Sequence, residues 1–341
     1  PPAVNEETVI IVNGSTIYAV DRFNGKLRWE RRLSAAPWAG PALSDTIAFV
    51  PLINGSIEGF RLDKPMKSPL VIRALGRATT RPTVALNTIS WGTDRGYLYV
   101  GGALDARVRY RFKTKTELLA PTAFHRPNIL VAAASDGDIY AVEELDGEVL
   151  WRFTSGQDIH RAPVSIDDAI YLVTINGNMI RISADSGTRQ WSTPGVKDFL
   201  AASESRVYAM GNYGKLLVVD AQNGKIIDAT DFPNADFTIL NVLTDRIYLG
   251  SRSGTIQCLH EPQSALPIVH VQMPKKSDNG GQEDETGSGD TGDAEGRQEA
   301  ASEESEEEPF GDDEGDDPFQ EVDDDEEKDD EDLFGDEDLF G

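Results

Sequence analysis

Over the first 273 residues, apolar residues come in short runs, and each run is closed by a turn pair that favours positive φ. Residues 14–29, reading GSTIYAVDRFNGKLRW, show the unit. Asn13-Gly14 and Asn24-Gly25 are strong hairpin signals, because a tight hairpin turn needs left-handed backbone that Asn and Gly adopt cheaply. Between them, Thr16, Ile17, Tyr18, Ala19 and Val20 form a β-rich run. The fuller pattern is clearest in residues 121–153. Pro121-Thr122-Ala123-Phe124 predicts a short strand and residues 128–134 (NILVAAA) a longer one. Asp136-Gly137 then turns into DIYAVEEL, and Asp146-Gly147 turns into EVLWRF. Four strands are thus expected in about 40 residues, and no stretch carries the 3.6-residue period of an amphipathic helix.

The unit repeats. The glycine opening the third strand recurs as Gly14, Gly55, Gly96, Gly137, Gly177, Gly214 and Gly254, at spacings of 41, 41, 41, 40, 37 and 40 residues. Four short strands repeated radially mark a β-propeller, in which sheets that cannot each bury two faces alone do so by stacking in a ring. The fold class expected is therefore all-β: a seven-bladed β-propeller of four-stranded antiparallel blades over residues 1–273, followed by a disordered acidic tail over 274–341. Residues 2–11 align without a gap on residues 163–172, so the first repeat reads as complete. An upstream segment that adds a closing strand or an eighth blade remains an open alternative.

Charge divides the chain at the same boundary. The formal net charge is -27. Residues 274–341 hold 31 acidic and 4 basic residues and account for all of it, whereas residues 1–273 hold 28 of each sign. A polyanionic tail disfavours direct nucleic-acid binding. The single cysteine, Cys258, allows neither an internal disulfide nor a Cys-rich metal site. No run of 18 apolar residues is present, so membrane association is expected only through an N-terminal anchor outside this sequence. The four histidines (His125, His160, His260, His270) fall in different repeats without metal-ligand spacing. No Gly-x-Ser-x-Gly elbow or phosphate-cradling glycine loop occurs.

The turn between the third and fourth strands carries a recurrent motif. Ala19, Asp21, Gly25 and Trp29 fit A-x-D-x-x-x-G-x-x-x-W in full, and Ala141, Glu143, Gly147 and Trp151 repeat it with Glu for Asp. Gly187 and Trp191 repeat the second half, Asp220 and Gly224 the middle, and the second, third and seventh repeats are degenerate. The motif resembles the tryptophan-docking motif of the PQQ-like (quinoprotein-type) propeller repeats. In repeat type the chain is similar to the family's non-enzymatic branch, the propeller lipoproteins of bacterial outer-membrane assembly. The resemblance implies that Trp29, Trp151 and Trp191 are structural wedges between blades. It also implies a scaffold that holds other proteins in the periplasm or cell envelope, lipid- or membrane-anchored through an upstream segment. Enzymes of the family hold pyrroloquinoline quinone and share an adjacent Cys-Cys pair, a calcium site and a general-base Asp. One cysteine cannot supply that pair, so no catalytic residue, metal or cofactor is expected. A quinone-dependent dehydrogenase or a small-ligand-binding propeller using the central channel stays as the alternative.

Candidate partner-binding residues lie in the loops that join a fourth strand to the next blade's first strand: Trp38, Arg77, Arg81, His160 and Arg161. Trp with Arg is the composition favoured at protein–protein hot spots. In the tail, Phe310, Phe319, Phe334 and Phe340 each sit in the frame acidic–(Pro or Leu)–Phe–(Gly or Gln). Spaced aromatic anchors in a polyanion suit weak multivalent docking onto a basic or aromatic-accepting partner surface.

Overall fold

A computed structural model of the chain describes residues 2–232 and 236–270. The candidate tail anchors Phe310, Phe319, Phe334 and Phe340, and the tail as a whole, lie outside the described residues.

The described residues form seven antiparallel sheets, each with its strands in sequence order. Blade 1 comprises Ala3–Val4, Thr8–Asn13, Thr16–Asp21 and Leu27–Arg32, and blade 4 comprises Ala123–His125, Ile129–Ala133, Asp138–Glu143 and Val149–Thr154. The first strand of each later blade packs against the blade before it. All seven repeat glycines have positive φ, from 57° at Gly14 to 93° at Gly254, as hairpin turns require.

Blade 7 departs from the four-strand pattern. Among the described residues it has three strands: Phe237–Ile239, Ile247–Gly250 and Ile256–Leu259. Past Leu259 the Asp-x-x-x-Gly turn is replaced by His260-Glu261-Pro262, and the chain takes another course. The buried Arg246 donates to the Ser264 and Ala265 carbonyls at 2.8 and 3.1 Å, and the Asp245 carboxylate accepts from the Ile268 N–H at 3.0 Å. Val269 then bridges Thr244.

Strand alternation distributes the core. In Ala169–Val173, Ile170 and Leu172 join the cluster shared with blade 4, while Ala169, Tyr171 and Val173 join the cluster shared with blade 6. Successive side chains point to opposite faces of a sheet, so each blade serves two neighbours at once. Six such clusters are present, one for each pair of consecutive blades from 1–2 to 6–7.

The motif locks these interfaces. Its acid closes its own turn: Asp21 Oδ1 accepts from the Phe23 and Asn24 amides, Asp220 from Gln222 and Asn223, and Glu143 from Leu145 and Asp146. A register shift just after the motif alanine places Trp29 opposite Ala19 and Trp151 opposite Ala141. The aromatic then leaves its own blade. Trp151 Nε1 donates to the Ala184 carbonyl of blade 5 at 2.7 Å, and Trp191 Nε1 to the Ala221 carbonyl of blade 6 at 2.9 Å. Each ring lies on the receiving blade's motif glycine. A Cβ on Gly187 would stand 2.6 Å from Trp151, and one on Gly224 would stand 2.7 Å from Trp191. Trp29 packs toward Phe60 of blade 2, ring centroids 6.4 Å apart.

Blades 2 and 3, whose motifs are degenerate in sequence, keep the interaction with other residues. Tyr110 takes the donor place in blade 3: its hydroxyl donates to the Glu143 carbonyl at 2.9 Å and its ring lies on Gly147, whose Cβ would stand 2.6 Å away. Burial pushes the Tyr110 phenol well above its ordinary pKa, so it remains a donor at physiological pH. At the interface of blades 2 and 3, Leu70 stands opposite Gly59 in the donor place, and Ala106, with φ 57°, occupies the glycine place. A smaller donor leaves room for a Cβ.

Truncating a donor should therefore cost more than any surface change. Trp151→Ala is expected to lower stability by about 3–5 kcal/mol, and Tyr110→Phe by about 1 kcal/mol. Urea unfolding checks both, and equal midpoints for Trp151→Ala and the parent would refute the docking role.

Candidate functional site

Loops that link a fourth strand to the next first strand, and turns that link second to third strands, emerge on the same face of an up-and-down blade. That face carries the five loop residues singled out from sequence, and the structure sorts four of them into two clusters.

The first cluster lies between blades 1 and 3. Trp38 is 47% exposed, and its backbone is fixed by a hydrogen bond from its N–H to the Pro51 carbonyl at 2.9 Å. The Arg77 guanidinium carbon sits 5.0 Å from the Trp38 ring centroid. Asp94 holds Arg77 in turn, accepting from its backbone N–H at 2.9 Å and from Nε at 3.2 Å. Beside the indole is a groove of about 420 Å³ lined by Ile11, Val12, Pro37, Trp38 and Pro41 among others. Asp94 was not evident from sequence as a functional residue, since an Asp in a turn reads as turn chemistry.

The second cluster spans blades 5 to 7. His160 and Arg161 line a recess of about 740 Å³ together with Lys197, Phe199, Tyr213 and Phe237. Arg161 is ion-paired with Asp198, whereas Lys197 has no ion pair among the described residues. Tyr213 projects from the turn Asn212–Gly214 with φ 67° and is 99% exposed. Its place between Asn212 and Gly214 was the available signal, because such turns present their middle side chain outward. A further hollow of about 410 Å³ continues from His160, Arg161 and Lys197 to Asn176 and Asn212. Arg81 is exposed and lines neither cluster.

Between the clusters lies a structural charge. Asp138 is buried in the third strand of blade 4 and bonded by Thr154 Oγ1 at 2.6 Å, by Lys115 Nζ at 3.1 Å and by Arg152. Burial opposes its ionisation, but the bonds from Thr154, Lys115 and Arg152 outweigh that and hold its pKa at about 2. Lys115 is thereby committed to the scaffold. Among the described residues, no group of three His, Cys, Asp or Glu side chains gathers as metal ligands.

Residues 94–238 match a family profile described as outer membrane protein assembly factor BamB, of the PQQ_2 type. Over those residues the repeats are similar to PQQ-like repeats. Curated relatives include the outer membrane protein assembly factor BamB of Yersinia pestis, 22% identical over 267 residues, and that of Shewanella oneidensis, 23% identical over 266 residues. These alignments cover 71% and 75% of this chain, and 66% and 58% of the relatives. The BamB of Moranella endobia is 20% identical, over 65% of this chain and 51% of its own length. The chain therefore spans about half to two thirds of the curated relatives it matches. Among solved structures, BamB from Moraxella catarrhalis superposes with a TM-score of 0.62 at 14% identity, covering 76% of this chain and 83% of that one. The computationally designed Ika8 protein gives a TM-score of 0.55 at 15% identity, covering 76% of this chain and 95% of that one. Both likenesses concern the fold.

The depressed pKa of Asp138 sets a pH dependence. Its stabilising contribution is complete above the ordinary carboxylate range near 4 and is lost as pH falls through about 2. Asp138→Asn should lower stability at pH 7 by roughly 2 kcal/mol and flatten the acid limb below pH 4 in denaturant midpoints. An unchanged acid limb would place the titration elsewhere.

Proposed function

We propose that this chain is a non-catalytic scaffold that holds partner proteins in the bacterial cell envelope, using the loop face of its propeller and its acidic C-terminal stretch. The Trp38–Arg77 pair carries this reading. A half-exposed indole stacked under a guanidinium that Asp94 already orients is a pre-organised hot spot, so little conformational entropy is lost when a partner covers it. The adjoining Pro-lined groove offers the apolar surface that such an anchor needs. Support for the envelope comes from the relatives, which are named as outer membrane protein assembly factors. The recess around His160, Arg161 and Lys197 adds an aromatic-lined docking point of mixed charge on the same face.

The tail contributes a second mode. Phe310, Phe319, Phe334 and Phe340 anchor it to a basic or aromatic-accepting partner surface, and the surrounding carboxylates steer the encounter. Small-ligand binding is the second reading. A recess of about 740 Å³ falls in the size range of ligand pockets.

Quantitative pull-down from envelope extract separates these contributions. Trp38→Ala should weaken capture of propeller partners about thirtyfold, corresponding to a hot spot of about 2 kcal/mol. Deleting residues 303–341 should lose a different set of partners without changing the unfolding midpoint. Alanine at all four tail phenylalanines should mimic that deletion. Unaltered capture by Trp38→Ala and by the deletion would sink the scaffold reading. A quinone absorbance or tightly held calcium in the purified protein would replace it with the small-ligand one.

A further inference from the structure

Turns that join third to fourth strands emerge on the face opposite the loop face, and their tips differ between blades. In blades 5 and 6 the tips are polar, Asp185-Ser186 and Gln222-Asn223, which is ordinary turn chemistry. Blades 1 to 3 place a large apolar side chain there instead: Phe23 is 81% exposed, Met66 70% and Leu104 62%. None of the three joins a core cluster, and Phe23 makes no ring contact. Packing within the body therefore does not account for them. Blade 4 keeps a leucine, Leu145, but sets it beside Asp146 and Glu148.

The three turns are held firmly. Asp21 closes the first through the Phe23 and Asn24 amides. The Arg31 guanidinium of blade 1 donates to the Pro65 and Lys67 carbonyls, which flank Met66. Beside Leu104, the Ala103 N–H donates to the Asn87 carbonyl at 2.9 Å, and its carbonyl accepts from Ser44 Oγ of blade 2 at 3.3 Å. Cations surround each tip: Arg22 and Lys26 at Phe23, Lys64 and Lys67 at Met66, Arg107 and Arg109 after Leu104. Lys26, Lys67, Arg107 and Arg109 have no ion pair among the described residues. The bias is regional. Residues 1–122, blades 1 to 3, hold 17 basic and 10 acidic side chains, whereas residues 123–270 hold 11 and 18.

We propose that these three turns form a rim that contacts a lipid bilayer bearing anionic headgroups. Phe23, Met66 and Leu104 enter the boundary between headgroups and acyl chains, and the cations between them meet the lipid phosphates. Charge complementarity and shape both favour this occupant. The tips are separate knobs on fixed turns, whereas the recesses described above lie on the loop face. A deformable lipid surface closes around each knob, but a folded acidic partner would have to supply three matching pockets. What counts is the charge within one Debye length of the headgroups, about 8 Å at physiological ionic strength, rather than the net charge of the chain. The rim faces away from Trp38 and Arg77, so lipid and a partner on the loop face can be held together.

Vesicle flotation of the 341-residue chain tests this. Phosphatidylcholine vesicles with about 30% phosphatidylglycerol should bind it about tenfold better than phosphatidylcholine alone, and raising salt to about 0.5 M should remove most of the difference. Phe23→Gln, Met66→Gln and Leu104→Gln together should lower the partition coefficient about tenfold and leave the urea midpoint unchanged. Lys26→Gln, Lys67→Gln and Arg107→Gln together should lower it about a hundredfold. The same change at Arg189, Lys225 and Arg252, on blades 5 to 7, should leave it within about twofold. Trp38→Ala should not alter flotation, which keeps lipid binding distinct from partner capture. Equal binding to the two kinds of vesicle, undiminished binding by the three-tip variant, or equal losses from the two cation sets overturns the proposal. Retention on immobilised polyglutamate that the tip variant weakens, without flotation, would assign the rim to an acidic protein and overturn it equally.

Discussion

The interaction on which this structure depends is an aromatic ring of one blade laid on the motif turn of the next. A four-stranded sheet has two apolar faces and cannot bury both within itself, so every blade is stable only as a member of a stack. Generic packing of alternating side chains supplies most of the buried area. It does not by itself fix how one sheet is rotated over another. The indole N–H of Trp151 on the Ala184 carbonyl, with its ring on Gly187, does fix it, because a hydrogen bond and a steric fit must be met together.

That constraint explains where the repeats vary. Donor and receiver change size in concert across the blade 2–3 interface, where Leu70 and Ala106 replace the aromatic and the glycine. Between blades 3 and 4 a tyrosine makes the indole's bond through its hydroxyl. In blade 6 the donor place holds Asp228, and its fourth strand, Ile226–Asp231, is exposed throughout. Blade 7 beyond it lacks a fourth strand among the described residues and relies on the buried Asp245–Arg246 pair to order its final segment. The regularity of the stack weakens where the docking series stops.

A rigid stack also accounts for the character of the loop face. Loops between blades are held at both ends by paired strands, so a side chain such as Trp38 is presented from fixed backbone at little entropic cost. Charges on the face are largely tied to the scaffold: Arg77 to Asp94, Arg161 to Asp198, Lys115 to Asp138. Lys197 is left with its ammonium unpaired among the described residues, at the rim of the recess that Tyr213 overlooks. The surface is patterned locally, and its net charge is a poor guide to it.

The repeat and its strand order were legible from the sequence because both rest on local rules, the alternation of apolar residues and the positive φ of Asn-Gly and Asp-Gly turns. The wedge role of Trp151 and Trp191 was legible for the same reason, through a motif of fixed spacing. Tyr110 was missed in that role because its own repeat lacks the motif glycine and tryptophan, and only the stacking of blades 3 and 4 shows its hydroxyl on Glu143 and its ring on Gly147. Trp38 and Arg77 were separate loop residues until the fold set the indole under the guanidinium, and His160 gained Lys197 and Tyr213 as neighbours from a later repeat. The fate of residues 264–270 also needed three dimensions, since it depends on Arg246 reaching carbonyls 18 and 19 residues away. Local backbone preference thus determined what each repeat is. Burial between repeats, which no single repeat encodes, decided which side chains meet.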